Sequence, residues 1–117
     1  MHFNDTERPD PPIDVKAINP TSQSITVTWK APDYDGGLPI KGYMVEKIEK
    51  DGDRFGPCCD ALETGLTYTV KGLTEGKEYQ FRVRAENAAG VSEPSRSTPL
   101  TVAADPVGKI CYGYLKE

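Results

Sequence analysis

Short segments in which apolar and polar residues alternate, separated by turn-forming residues, run through most of this chain. Residues 24–29 are the clearest, because Ile25, Val27 and Trp29 would share one face of a strand while serine and threonine occupy the other. The 10 prolines and 11 glycines interrupt such segments at intervals of about 8–12 residues, the spacing of strands in sandwiches and barrels. No segment keeps the apolar spacing of an amphipathic helix over three turns. The pattern therefore predicts an all-β domain with almost no helix.

Seven strands are predicted, covering residues 15–18, 24–29, 40–48, an edge strand within 54–62, 66–70, 79–86 and 99–103. The 117 residues suit a single domain. We expect an antiparallel Greek-key β-sandwich, with the first, second and fifth strands in one sheet and the third, fourth, sixth and seventh in the other. In the last strand, Leu100 and Val102 are expected to face the core.

The predicted core is mainly aromatic. Its principal residues are Trp29, Tyr43, Val45, Tyr68, Leu73, Tyr79, Phe81 and Val83. Residues 73–79 have the form of a tyrosine corner, in which Tyr79 returns its hydroxyl to the backbone of the turn before its strand. All three cysteines follow Trp29, so the strand over 24–29 cannot contribute to the inter-sheet disulfide of immunoglobulin domains. The sandwich is therefore predicted to hold together without a disulfide.

Charge and cysteine usage exclude several classes of function. The net charge is −4 and the basic residues are dispersed, so no nucleic-acid partner is expected. The apolar runs are far shorter than the roughly 20 residues of a membrane helix, so no membrane association is expected. An odd count with an adjacent pair, at Cys58, Cys59 and Cys111, favours free thiols in a reducing compartment.

No catalytic, cofactor-binding or metal-binding residues are predicted. The only histidine, His2, lies in the N-terminal tail, and no second ligand pair at zinc spacing accompanies the cysteines. The chain also lacks the short motifs of hydrolases, phosphate-binding loops and zinc proteases. A redox-regulated enzyme using Cys58 as nucleophile is a weak alternative, because no base or cofactor motif accompanies the thiol.

Outward-facing residues of the third and sixth strands form one stripe across the larger sheet. We name this set the outer stripe; it consists of Met44, Glu46, Ile48, Arg82, Arg84 and Glu86. One interpretation is a solvated surface with cross-strand ion pairs of small energy. The other is a protein-binding face, on which Met44 and Ile48 would be unusual exposed apolar residues.

Several motifs together resemble those of fibronectin type III domains, over residues 9–104. They are Pro11-Pro12, 24–29 (SITVTW), 42–46 (GYMVE), 72–79 (GLTEGKEY) and 81–87 (FRVRAEN). The resemblance implies fibronectin type III (immunoglobulin-like) topology. Residues 1–8 and 105–117 are then expected to be linkers or cloning remnants.

Three further segments are similar to the fibronectin type III modules of the giant muscle proteins titin and twitchin. They are 35–40 (DGGLPI), 45–47 (VEK) and 85–95 (AENAAGVSEPS). This resemblance implies a non-catalytic structural and protein-interaction module that spaces tandem domains in the cytoplasm, in the thick-filament region of the sarcomere. The implied partners are neighbouring immunoglobulin or fibronectin type III domains of the same chain and myosin or other thick-filament proteins, with the isolated domain monomeric.

An extracellular adhesion or receptor module of the same fold is the alternative. It predicts glycosylation at Asn4, which begins the sequon Asn4-Asp5-Thr6, and a disulfide that involves Cys111.

Overall fold

Strands and turns make up the described part of the chain. The computed structural model describes residues 6–106, and no helix occurs in that range. The strands are β1 (Ile13–Ile18), β2 (Ile25–Lys30), β3 (Gly42–Glu49), β4 (Gly56–Pro57), β5 (Thr67–Val70), β6 (Glu78–Asn87), β7 (Gly90–Val91) and β8 (Thr101–Val102). The predicted edge strand is only two residues long, the predicted last strand is reduced to β8, and β7 was not predicted. Asn4 and Cys111 lie outside the described residues.

The strands form two sheets. One has the order β1-β2-β5, and the other has the order β4-β3-β6-β7, with β8 also paired to β6. All the pairings are antiparallel. This confirms the predicted division of the strands between two sheets. The longest ladder joins β3 to β6 from the Gly42↔Glu86 pair to the Glu49↔Tyr79 pair, so it forms the centre of the larger sheet.

The core lies between the sheets, where the inward faces of β2, β3 and β6 meet. Ile25, Val27, Val45, Phe81 and Val83 have no exposed surface. The alternation places them there, because every second side chain of a strand points to the same face.

Of the eight predicted core residues, seven are buried; Tyr68 is the exception and is half-buried. Its ring packs against the core from β5, and its hydroxyl donates a hydrogen bond of 3.2 Å to the Cys58 carbonyl oxygen. A phenol has a polar tip that needs a hydrogen-bond partner. Tyr68 therefore lies at the margin of the core rather than within it.

The tyrosine corner is present. Tyr79 is 1% exposed, and its hydroxyl oxygen accepts a hydrogen bond of 2.9 Å from the Thr74 backbone N–H. Because Leu73 is also buried and its own N–H bonds to the Gln23 carbonyl oxygen, the turn before β6 is held at two adjacent residues.

The prediction for the last strand was wrong by one residue. Leu100 and Val102 are 41% and 43% exposed, whereas Ala103 is fully buried. Thr101 lies opposite Tyr79, whose side chain faces the core, so the neighbours of Thr101 must face outward. The alternation of residues 99–103 predicts a strand with Leu100 and Val102 inward, but the pairing with β6 sets the register.

Candidate functional site: the outer stripe

The outer stripe lies on the solvent side of the ladder between β3 and β6. Met44 is directly opposite Arg84 and Glu46 is directly opposite Arg82, so these four side chains emerge on one face at neighbouring positions. Glu86 is opposite Gly42 at one end of the stripe, and Ile48 is opposite Gln80 at the other. The structure therefore brings the six predicted residues together, as the period of two required.

Glu46 is the centre of this face. Its Oε1 accepts a hydrogen bond of 2.6 Å from Arg82 Nε, and its Oε2 accepts one of 3.1 Å from Arg84 Nε. The Glu46 side chain is only 12% exposed, and those of Arg82 and Arg84 are 23% and 28% exposed. One carboxylate thus holds two guanidinium groups in a partly desolvated setting, where charge-assisted hydrogen bonds are stronger than in water.

Further contacts fix both arginines. The Arg82 guanidinium carbon lies 4.1 Å from the centre of the Phe55 ring, a cation–π arrangement. Arg84 Nη1 donates a hydrogen bond of 3.2 Å to the Ser92 carbonyl oxygen. The arginines therefore connect the central ladder to the segments on both sides of it.

The group formed by Glu46, Arg82 and Arg84 carries a net positive charge, and several of its N–H donors have no partner among residues 6–106. Two guanidinium groups and one carboxylate leave a charge of +1. Each guanidinium has five N–H donors, of which Arg82 uses one and Arg84 two in the hydrogen bonds described above. The remaining donors are held in place and suit an anionic group of a partner.

The apolar members of the stripe are less exposed than expected. Met44 and Ile48 are half-buried. The exposed large apolar residues of the described chain lie elsewhere, at Ile13, Ile18, Tyr34, Leu66, Leu100 and Val102. The long side chains of a crowded sheet face cover their neighbours, so outward direction alone does not produce exposure. At the end of the stripe, Glu86 forms a 3.9 Å ion pair with Lys41.

The chemistry of Cys58 disfavours a nucleophilic role. Burial raises the pKa of the Cys58 thiol to about 12, although Lys47 partly offsets this. A nucleophilic cysteine needs a lowered pKa, since the thiolate is the reactive form. Cys58 and Cys59 are both free.

Within residues 6–106, no group of three or more His, Cys, Asp or Glu side chains is arranged to hold a metal ion. The same residues include no helix with the length and apolar character needed to cross a membrane.

Beside the stripe lies a hydrogen-bonded segment that sequence reasoning missed. Ser92, Ser95 and Thr98 are buried, and their hydroxyl oxygens accept hydrogen bonds of 2.9, 2.9 and 3.0 Å from the backbone N–H groups of β6. Their own backbone N–H groups donate to carbonyl oxygens of β6. Every three residues of this segment therefore lie opposite two residues of β6. The segment has one extra residue in each repeat, as a strand does at a β-bulge.

The signal for this segment was available in the sequence. Serine or threonine recurs at every third residue, at positions 92, 95, 98 and 101. Pro94 and Pro99 occupy positions between them. Proline is tolerated there because only every third residue donates its N–H to β6. A search for a period of two overlooks this pattern.

Comparison with known proteins identifies a matching domain family and several similar proteins. The model of the fibronectin type III domain matches residues 10–101. The chain is 42% identical over 99 residues to M-protein of striated muscle from Gallus gallus, covering 85% of this chain and 7% of that protein. It is 38% identical over 102 residues to Myomesin-2 from Homo sapiens, covering 87% and 7%. It is 34% identical over 110 residues to fast-type Myosin-binding protein C from Gallus gallus, covering 91% and 10%.

Two solved structures are also similar to this chain in sequence and fold. A titin module from human cardiac muscle, determined by NMR, is 37% identical with a TM-score of 0.76, covering 85% of this chain and 96% of that one. The twitchin kinase region from C. elegans is 34% identical with a TM-score of 0.76, covering 83% and 17%. The chain spans only 7–10% of the length of the three curated relatives named above. By the match of its sequence and the order of its strands, the chain belongs to the fibronectin type III domain family.

Proposed function

We propose that this chain is a non-catalytic structural and protein-interaction module of a giant sarcomeric protein. It spaces tandem domains and contacts components of the thick filament. The observation that carries the proposal is the similarity to M-protein, Myomesin-2, Myosin-binding protein C, titin and twitchin. The first three relatives are many times longer than this chain, so a domain of this size is one module among many.

The proposed neighbours are immunoglobulin or fibronectin type III domains of the same polypeptide. Such a module needs ends that leave the domain far apart. The N-terminal segment meets the loops around Gly36 and Asn87, whereas Asp105, which follows the last strand, accepts a hydrogen bond from the Ser22 N–H in the turn between β1 and β2. These contacts lie at opposite ends of β2, which supports a spacer role.

The proposed contact surface for thick-filament proteins is the outer stripe. Its fixed, positively charged arginines suit an acidic segment of myosin or of another filament protein. The half-buried Met44 and Ile48 add apolar area beside that charge. Each contact would be weak, and repetition of such modules along an array would make the total binding strong.

Co-sedimentation of the chain with isolated thick filaments tests this proposal. We expect the wild type to sediment with the filaments, and Arg82→Gln and Met44→Glu to reduce the bound fraction several-fold. Lys16→Gln is the matched control, because it changes the charge by the same amount and Lys16 is exposed on the opposite sheet. Equal binding by all four proteins would dismiss the outer stripe, and absence of wild-type binding would contradict the thick-filament partner.

The proposed location is the cytoplasm, in the thick-filament region of the sarcomere. Free Cys58 and Cys59 support a reducing compartment. Counting free thiols in denatured, unreduced protein separates this from the extracellular alternative: three free thiols support the cytoplasm, and a disulfide involving Cys111 contradicts it.

A further inference from the structure

Residues 7–10 lie against two loops at one end of the sandwich, although residues 1–8 were predicted to be a linker. The Glu7 N–H donates a hydrogen bond of 2.8 Å to the Gly36 carbonyl oxygen, and the Asp10 N–H donates one of 3.0 Å to the Tyr34 carbonyl oxygen. Pro9, between them, is buried. The segment therefore runs beside the loop at 34–37 as an additional bonded strand-like stretch.

Asn87 joins this segment to both loops. Its side chain is 1% exposed, and its Nδ2 donates hydrogen bonds of 2.7 Å to the carbonyl oxygens of Glu7 and Asp35. Its Oδ1 accepts hydrogen bonds from the N–H groups of Ala89 and Gly90. Both donor positions and both acceptor positions of the amide are used. One buried side chain thus connects three segments that are remote in sequence.

Two further features fit the N-terminal segment to this position. Gly36 has φ of 82°, and a Cβ atom there would overlap the Glu7 carbonyl oxygen. Only glycine lets the two backbones approach in this way. Arg8 Nη2 forms a 2.7 Å ion pair with Glu93, and Arg8 Nη1 donates a hydrogen bond of 3.4 Å to the Val91 carbonyl oxygen. The N-terminal segment of the chain itself therefore lies against the loops at 34–37 and 87–93.

We propose that residues 7–10 form an N-terminal clamp, and that this loop surface is the binding site for the polypeptide immediately preceding the domain. The clamp fixes the direction in which that polypeptide leaves. The consequence for a preceding module, whose orientation the clamp would set, rests on the function proposed above. The same contacts close the loops to an external ligand.

Residual dipolar couplings of backbone N–H groups in the 117-residue chain test the clamp. We expect the couplings of Glu7, Arg8 and Asp10 to fit the same alignment tensor as those of β2, β3 and β6. Asn87→Asp keeps the acceptor for Ala89 and Gly90 but removes the donor to Glu7 and Asp35. In this variant we expect the Glu7 and Arg8 couplings to fall towards zero and the Glu7 amide to exchange at least tenfold faster.

Asn19→Asp is the matched control, an identical chemical change in an exposed turn with a positive φ. If Asn87→Asp does not fold, Glu7→Pro removes the N–H donor to Gly36 at the chain end and should release residues 6–8 while the sandwich stays intact. Wild-type couplings near zero at residues 7 and 8 would overturn the clamp, as would unchanged couplings in both variants. Failure of thick-filament binding would leave these couplings unchanged, so the two proposals are tested separately.

Discussion

At the scale of single residues, directed hydrogen bonds complete what alternation begins. The Tyr79 ring belongs to the core by its place in the strand, but its hydroxyl also accepts the Thr74 N–H. Asn87 continues the inward series of β6, and its amide satisfies four backbone groups in the neighbouring segments. Both arrangements pair polar atoms that strand geometry carries inward, and an unpaired buried polar group costs about 1–3 kcal/mol.

Tyr79→Phe is expected to lower the free energy of unfolding by about 1–2 kcal/mol, because the Thr74 N–H loses its acceptor. Urea denaturation, followed by the fluorescence of Trp29, the only tryptophan, measures the change. Tyr34→Phe is the control, since the Tyr34 ring is 41% exposed and its hydroxyl bonds to exposed Glu7. Equal stability of Tyr79→Phe and the wild type would show that the corner bond contributes nothing measurable.

Cys58 is expected to react slowly in the folded protein. Burial raises its pKa to about 12 from 9.0, which lowers the thiolate fraction at pH 8 about a thousandfold. In a variant with Cys59→Ser and Cys111→Ser, iodoacetamide should modify Cys58 far faster in guanidinium than in native buffer. Similar rates in both would show that the fold does not protect the half-buried thiol.

The same pKa shift predicts how stability depends on pH. Between pH 9 and 12 the unfolded thiol loses its proton while the folded thiol keeps it. The contribution of Cys58 to stability is therefore complete below about pH 9 and decreases above it. The variant with Cys59→Ser and Cys111→Ser retains only Cys58. Comparing its urea midpoint with that of its Cys58→Ser derivative across this pH range measures the contribution of Cys58 to stability.

At the scale of elements, the segment between β7 and β8 shows how side chains can replace a regular ladder. Residues 92–98 pair with β6 through both backbone groups and hydroxyls. The bonded residues are three apart in this segment and two apart in β6. The added hydroxyl bonds reach the β6 N–H groups that a regular partner strand would have satisfied with carbonyl oxygens. This edge of the larger sheet is therefore closed without a continuous strand.

Ser95→Ala tests this element. The Val83 N–H loses its acceptor in a buried position, so we expect unfolding to become easier by about 1–3 kcal/mol. Val83 amide exchange should accelerate together with the loss of stability. Ser97→Ala, at an exposed position of the same segment, should change neither quantity. No difference between the two variants would contradict a structural role for the hydroxyl ladder.

At the scale of the whole molecule, one core without a disulfide among the described residues holds the two sheets together. Its centre is made by β2, β3 and β6, whose inward residues have almost no exposed surface. Stability must then come mainly from apolar burial and packing between the sheets.

Replacing Ile25 and Val27 together by alanine should destabilise the sandwich by several kcal/mol, about 1–3 for each site through the cavities left behind. Chemical denaturation measures the loss, and Thr28→Ala on the outer face of the same strand is the control. A nearly unchanged midpoint in the double variant would contradict the position of the core. Full loss of folding agrees with it, provided that Thr28→Ala still folds.

The local pattern was enough to predict much of this molecule. Alternation over 24–29, 40–48 and 79–86 predicted the central strands, their inward faces and the six members of the outer stripe, because a period of two is a local property of an extended chain. The corner at Tyr79 was predicted from spacing within a few residues. The division of the strands between two sheets followed from general rules of sandwich packing.

Other features depend on partners remote in sequence. The outward direction of Leu100 and Val102 is decided by the Thr101↔Tyr79 pair, and the half-burial of Met44 by the surrounding side chains. The role of Asn87 requires Glu7, 80 residues earlier in the chain.

Sequence alone thus determined which segments form strands and which of their faces are apolar, because those choices rest on neighbouring residues. Tertiary structure decided the register of the last strand, the exposure of the outer stripe and the position of residues 7–10. The physical reason is that hydrogen bonds and burial join segments across the fold, and no local period records which segments will meet.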